Sequence, residues 1–200
     1  MVYSKEALKS ILKKAAPILT NDNAEEFLNI CEFNSFKNKE VIIRENIKAT
    51  KGFLILKGIV RGYLLNNRGI EKNIILRSCF TFVGSPNTLF NNEKSRYTFE
   101  AIGKVELLAF EYSDLENLTL NNPNILKFHL SSYKEIIKTL IYRVESMINK
   151  MPEERYQDLL NTNPQFFETV YHKDIANYLG ITPVSLSRII KRSKVTLDEV

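Results

Sequence analysis

Chemistry that needs clustered thiols or imidazoles has little to work with in this sequence. The 200 residues include two cysteines and two histidines. Cys31 and Cys79 are too few for the four thiolates of an iron–sulfur cluster, and their apolar contexts suit free buried thiols, with redox sensing a minor reading. His129 and His172 give haem ligation little support, so neither cofactor is expected. The window 33–110 contains no histidine at all. A metal enzyme on a cupin-like barrel needs histidines and a carboxylate from neighbouring strands, and that reading therefore falls. Gly-x-Ser-x-Gly elbows, glycine-rich phosphate loops and zinc-spaced cysteine pairs are also absent, and the chain reads as a non-enzyme. No apolar run is long enough to cross a bilayer. The first stretch, MVYSKEALKSILKKAAPIL, mixes charge and apolarity at helical spacing in place of the unbroken apolar core of a signal peptide. The expected location is the cytoplasm, with no membrane partner. Internal repeats and low-complexity tracts are missing too.

What is present is an ordinary globular composition with an uneven charge. Hydrophobic residues make up 44% and charged residues 26%, enough for one large domain or two modest ones. The net charge is +5, which by itself suggests a polyanionic partner only weakly. Between Tyr171 and Lys194, however, Lys173, Arg188, Lys191, Arg192 and Lys194 face only Asp174. Most of the excess sits in this one segment.

Glycine divides the chain. Gly52, Gly58, Gly62, Gly69, Gly84 and Gly103 fall in one window, interleaved with EVIIRE, GFLILKG, IVRGYLL, IEKNIILR, RYTFEAI and VELLAF. Short β-rich runs punctuated by glycine predict an antiparallel sandwich or barrel. Ahead of it, SKEALKSILKKA and NDNAEEFLNICEF read as amphipathic helices, the second capped by Asn or Thr, and are expected to cover one end of the β-domain. After Phe110, YSDLENLTLNN reads as a short helix begun by Ser113. Pro123 then opens a segment without glycine or proline to about Lys150. Ile137, Leu140, Ile141, Val144, Met147, Ile148 and Met151 recur at three- and four-residue steps, a seam that either packs on the β-domain or pairs in parallel with a second subunit. MPEERYQDLLNTNP predicts a Pro-initiated helix that stops before Pro164.

The segment from His172 to Lys191 meets the demands of a helix-turn-helix. Ala176 supplies the small residue at the crossing and Gly180 the left-handed corner. Ile175, Leu179, Ile181, Leu186 and Ile189 would lock the angle. Thr182 caps the second helix and Pro183 takes its first position. The outer face of that helix offers Thr182, Ser185, Ser187, Arg188, Lys191 and Arg192, donor types that contact phosphates and guanine edges. Arg188 is the candidate for bidentate pairing with guanine, Thr182, Ser185, Lys191 and Arg192 for phosphate, and Val184 for a thymine methyl. Tyr171, His172 and Lys173 begin the first helix, where a phosphate could also be met.

A glycine-punctuated β-roll, a long helix and a C-terminal helix-turn-helix in this order resemble the Crp/Fnr superfamily of bacterial transcription regulators. The likeness is most specific in YHKDIANYLGITPVSLSRIIK, and PEERYQDLLNTNP followed by VYHKDIANYLGITPVSLSRI is similar to the branch common in Bacteroidetes-type bacteria. The resemblance implies an α+β fold: a jelly-roll-like, cyclic-nucleotide-binding-like β-roll with N-terminal helices over 1–120, a long dimerisation helix over 121–150, and an all-α helix-turn-helix domain over 151–200. It implies a homodimer on a near-palindromic double-stranded DNA operator, with RNA polymerase as a further partner. A nucleotide- or small-molecule-sensing β-roll protein that does not bind DNA is the alternative.

In cyclic-AMP-responsive members, a cassette of the form F-x-G-E-[LI]-[GA] followed by R-[ST]-A grips the nucleotide. Here the first part reads FVGSPN, with Ser85 where the ribose-binding Glu would stand. The second reads KSRYTFEA, which places Ser95 at the arginine position and Arg96 one residue on, turned to the other face of a strand. The departures argue against cyclic AMP. Another effector could use a cavity lined by Phe82, Gly84, Ser85, Ser95, Arg96 and Tyr97, or the β-roll could be filled and serve only as support. After Arg192 only SKVTLDEV remains, too short for a two-stranded wing. The expectation is that the helix from Thr182 to Arg192 reads DNA unaided, with Lys191, Arg192, Lys194 and Lys173 supplying non-specific affinity.

Overall fold

The computed structural model describes residues 3–198, and all their side chains except those of Ala15 and of residues 194–198. Its elements follow the expected α+β order: helices α1 (Lys5–Ala15) and α2 (Asn21–Asn29), strands β1 (Glu32–Phe36), β2 (Val41–Ile43), β3 (Lys51–Leu65), β4 (Glu71–Arg77) and β5 (Phe82–Val83), then α3 (Pro86–Asn91) and β6 (Thr98–Glu111). Six helices complete the described chain: α4 (Tyr112–Asn121), α5 (Pro123–Asn149), α6 (Pro152–Thr162), α7 (Pro164–Thr169), α8 (His172–Tyr178) and α9 (Pro183–Asp198).

All strand pairings are antiparallel. The order β1-β6-β3-β4 is extended by β2 on β6 and β5 on β3. The long strands β3 and β6 run side by side from Lys51 opposite Glu111 to Tyr63 opposite Thr98, and their register shifts on either side of Lys57. Gly58 sits at that shift with φ +93°, and a Cβ there would lie 2.5 Å from the Lys104 carbonyl oxygen. Only glycine fits a positive φ against a backbone that close, and the bulge bends the ladder. The sheet thereby curls around Ile43, Phe53, Ile55, Val60, Val83, Phe99, Val105 and Leu107, all buried in one cluster.

The N-terminal helices cover one end of the sheet, as expected. Ser4 caps α1 by accepting from the Ala7 N–H, and Thr20 and Asn23 cap α2 reciprocally. Leu12, Leu19, Ala24 and Phe27 on this cover bury against Leu54, Leu108 and Phe110 of the sheet and Ile125 and Phe128 of α5. Two expectations are corrected here. NDNAEEFLNICEF is not helical to its end: α2 stops at Asn29, and Phe33 enters β1 opposite Leu108, where the ladder satisfies its backbone. Ser113 does not start α4. The Tyr112 N–H donates to the Thr50 carbonyl, so β6 passes straight into a helix without a side-chain cap.

Pro123 opens α5 under an Asn122 cap, and its 27 residues span about 40 Å. Helices α6 to α9 do not fold apart from the sheet. Ile59, Leu76 and Ile102 from the strands share one buried cluster with Leu159, Phe166, Val170, Ile175, Leu179, Leu186 and Ile189.

Candidate nucleic-acid interface

The corner between α8 and α9 is built from local chemistry. Gly180 takes φ +72°, its N–H donates to the Asn177 carbonyl, and the Ile181 N–H donates to Ala176, the paired bonds of a Schellman motif. Two residues later Thr182 Oγ1 accepts from the Ser185 N–H, with Pro183 at the first helical position. Ala176 and Ile175 at the crossing are fully buried, as is Leu186, and Leu179 and Ile189 are nearly so. The angle is therefore fixed by a cap at each side and a packed wedge between.

On the outer face of α9, Pro183, Val184, Ser187, Arg188 and Lys191 are exposed. The Thr182 and Ser185 hydroxyls share a 2.9 Å hydrogen bond, which commits them to the cap before any phosphate arrives. Arg192 is exposed and reaches Glu153 Oε1 on α6 at 2.6 Å. The helix does not stop at Arg192, since its backbone runs on to Asp198. The Lys194 side chain lies outside the described residues. Tyr171, His172 and Lys173 are exposed at the start of α8, and the Tyr171 hydroxyl accepts from Asn38 Nδ2 of the β-domain.

Most of the seam on α5 finds no cover among the described residues. Ile137, Ile141, Val144 and Ile148 are 54–74% exposed, against the reading that it packs on its own β-domain. Leu140 is exposed to a lesser degree, and Met147 brings its sulfur to within 3.4 Å of where a Cβ on Gly180 would sit. Exposed Leu126 and Leu130 continue the apolar stripe toward the start of the helix.

Most of the six residues expected to line an effector cavity are engaged within the fold. Phe82 turns toward the helical cover and stacks edge-on against Phe27 and Phe110. A Cβ on Gly84 would strike Leu89 Cδ1 at 2.7 Å. Ser85 is completely buried and caps α3, its Oγ accepting from Thr88. Ser95 is 1% exposed, its hydroxyl donating to the Tyr97 carbonyl and accepting from the Tyr97 N–H. Tyr97 itself packs beside Phe99. Arg96 is exposed in the bend before β6 rather than on a strand, so the expected face reversal does not operate and its guanidinium simply faces solvent. Cys31, one of the two thiols for which redox sensing is a minor reading, donates its thiol to the Phe27 carbonyl, and burial pushes its pKa up.

A polar cluster that sequence reasoning missed joins the sheet to α8. Arg61 on β3, 7% exposed, donates from Nε to Glu100 at 3.0 Å and from Nη1 to Glu71 at 2.7 Å and Asp174 at 3.2 Å. Burial opposes its charge, but the Glu100 and Glu71 hydrogen bonds and the Asp174 charge outweigh that and hold its pKa above the ordinary value. Beside it, Asn177 Oδ1 accepts from the Asn73 N–H at 2.9 Å, and its Nδ2 donates to the Glu71 carbonyl at 2.7 Å. Asn73 Nδ2 in turn donates to the Asp174 carbonyl. Arg143 of α5 stacks over the Tyr178 ring at 3.7 Å and donates to the Asn73 carbonyl. An arginine inside IVRGYLL carries no local sign that its partners lie at 71, 100 and 174.

Residues 33–122 match the family of cyclic nucleotide-binding domains. A candidate HTH-type transcriptional regulator of Porphyra purpurea, ycf28, is 28% identical over 201 residues, covering 92% of this chain and 81% of that one. Among solved structures, FixK2 of Bradyrhizobium japonicum superposes with a TM-score of 0.71 over 84% of this chain and 86% of that one, at 19% identity. CLP of Xanthomonas campestris, a c-di-GMP-responsive global regulator, gives 0.67 over 86% and 90%, at 15% identity. At those identities the superpositions establish the shared fold.

Proposed function

We propose that this chain, a Crp/Fnr-like regulator carrying a cyclic nucleotide-binding domain, works as a homodimeric, sequence-specific DNA-binding transcription factor whose effector is not cyclic AMP. The observation that carries the reading is the α8–α9 corner: two caps and a buried wedge hold α9 with Val184, Ser187, Arg188 and Lys191 directed outward. A helix so presented fits the major groove, with Arg188 two turns in reading a guanine edge through O6 and N7. Lys191 and Arg192 contact phosphate, Arg192 by exchanging the Glu153 carboxylate for a phosphate oxygen. Thr182 and Ser185 place the helix, and Val184 meets a thymine methyl.

The uncovered seam on α5 supports pairing with a second copy. Two parallel α5 helices joined through Ile137, Ile141, Val144 and Ile148 set two α9 helices one DNA turn apart on a near-palindromic site. Changes in the β-domain alter the angle of α5, and the recognition helices move into or out of register, with RNA polymerase as the downstream partner. Against cyclic AMP stand the loss of the carboxylate at Ser85, the internal use of the Ser85 and Ser95 hydroxyls, and the solvent-facing Arg96. Gel-shift titration of genomic fragments at several salt concentrations tests the reading. A subset of fragments retained well above random DNA is the expected result, and uniform binding by wild type and Arg188→Ala alike would overturn it.

A further inference from the structure

Helices α5 and α6 meet at a short link. Lys150 (φ −108°, ψ 141°) and Met151 (φ −69°, ψ 158°) are both extended, and Pro152 opens α6. Rotation about those backbone dihedrals would swing α6 and the helices behind it against α5. With 11 residues α6 is about 16 Å long, so a turn of about 12° at the link carries its far end about 3.4 Å, one base-pair rise. In a dimer held by α5, an unrestrained link would leave each α9 free to sit at neighbouring half-site spacings.

One side chain spans the link and the recognition corner together. Arg155, in the first turn of α6, donates from Nη1 to the Lys150 carbonyl at 2.8 Å and from Nε to the Leu179 carbonyl at 3.1 Å. Lys150 is the C-cap of α5 and Leu179 the C-cap of α8. Both acceptors therefore belong to helix ends, where carbonyls lack intrahelical donors and the macrodipole is negative. Other contacts at the link are pairwise. Asp158 Oδ2 accepts from Lys150 Nζ at 2.6 Å and from the Tyr142 hydroxyl at 2.8 Å, which joins α5 to α6 and goes no further. Arg143 stacks over Tyr178, and Met147 lies at Gly180. A stacked ring and a thioether tolerate sliding, whereas a planar fork of donors on two carbonyls has a direction.

From this juxtaposition we propose that Arg155 is a positioning residue for half-site spacing: by bridging the C-terminal carbonyls of α5 and α8 it sets the angle at which each protomer offers α9, and hence the separation of half-sites that the dimer accepts. In this role it touches no base. The proposal rests on the dimeric DNA-binding reading and adds what fixes its geometry.

The test compares wild type, Arg155→Met and Arg155→Lys as full chains. Duplexes carry two inverted copies of the motif that wild type selects, with centres about 9 to 12 base pairs apart. Wild type is expected to prefer one spacing over its neighbours. Arg155→Met keeps the stem and drops the fork, and is expected to cut that preference at least about fivefold. Arg155→Lys keeps the charge and is expected to restore only part of it. Sedimentation and base preference within a half-site are expected to match wild type, which separates positioning from a loss of fold. A spacing profile unchanged in both variants, or fully recovered by Arg155→Lys, overturns the proposal and leaves the regulator intact. Loss of dimer and base preference in both variants makes Arg155 a residue of the fold alone and overturns it too. Failure of wild type to retain any duplex above random DNA overturns this proposal and the DNA-binding reading together.

Discussion

The two parts of the chain that its sequence marks for ligand contact have spent their polar groups differently. On α9, Arg188 and Lys191 are exposed. Around α3 and the start of β6, Ser85 and Ser95 are buried and their hydroxyls are consumed in a helix cap and a tight turn. A donor committed to its own backbone lowers the energy of the apo fold, and recruiting it for a ligand costs that bond. One region keeps charged groups exposed, as the proposed DNA contact requires, and the other uses its hydroxyls within the fold.

The most damaging way to break this contrast acts through neither region. Ile141→Glu combined with Val144→Glu places four carboxylates in the seam of a paired α5. Sedimentation is expected to show monomer, and operator affinity to fall by at least about a hundredfold, because simultaneous engagement of two half-sites is lost. Next in size, Arg188→Ala is expected to cost about 1–3 kcal/mol on the preferred duplex and to flatten preference at one base position, measured by competition among single-base variants.

Smaller at physiological salt is Lys191→Ala with Arg192→Ala. It is expected to weaken every sequence alike and to reduce the slope of log affinity against log salt by about 0.9 for each phosphate contact removed. Removing Arg192 also frees Glu153, a surface pair that adds little to stability. The smallest effects belong to the β-domain. Millimolar cyclic AMP is expected to leave the melting temperature and DNA affinity where they were, since a ligand that does not bind the native state cannot stabilise it. Ser95→Ala is expected to cost about 1–3 kcal/mol of stability by orphaning the Tyr97 N–H and carbonyl, with DNA affinity per folded molecule unchanged. A cyclic-AMP-dependent rise in either quantity would erase the contrast.

How far the sequence disclosed all this depended on whether the deciding interactions were local. The α8–α9 corner was legible because its determinants, Gly180, Thr182 and Pro183, lie within four residues and each has a backbone reason to be there. The seam on α5 was legible as a period, though only the folded chain shows Ile148 left 74% exposed rather than packed on the sheet. Strand β1 was hidden because EFNSF has no alternation that distinguishes it from the helix before it, and its pairing with β6 supplies the order. Helix α7 went unread between Pro164 and the basic segment, where Phe166 finds its place only in the core shared with Ile59 and Ile102. Most opaque was Arg61, whose three carboxylates converge from separate elements. The cassette shows the reverse: missing residues at Ser85 and Ser95 were plain in the sequence, but what those serines do instead is a property of the fold.

The central claim, that two copies of α9 read DNA in a fixed relation set by paired α5 helices, meets its most direct test in selection from a pool of random duplexes by the full chain. Enrichment of an inverted repeat whose half-sites are centred about 10 base pairs apart, with one position per half-site losing its preference in Arg188→Ala, is the predicted result. A selected pool no different from the starting one, or one that enriches a single unrepeated motif untouched by Arg188→Ala, would contradict it.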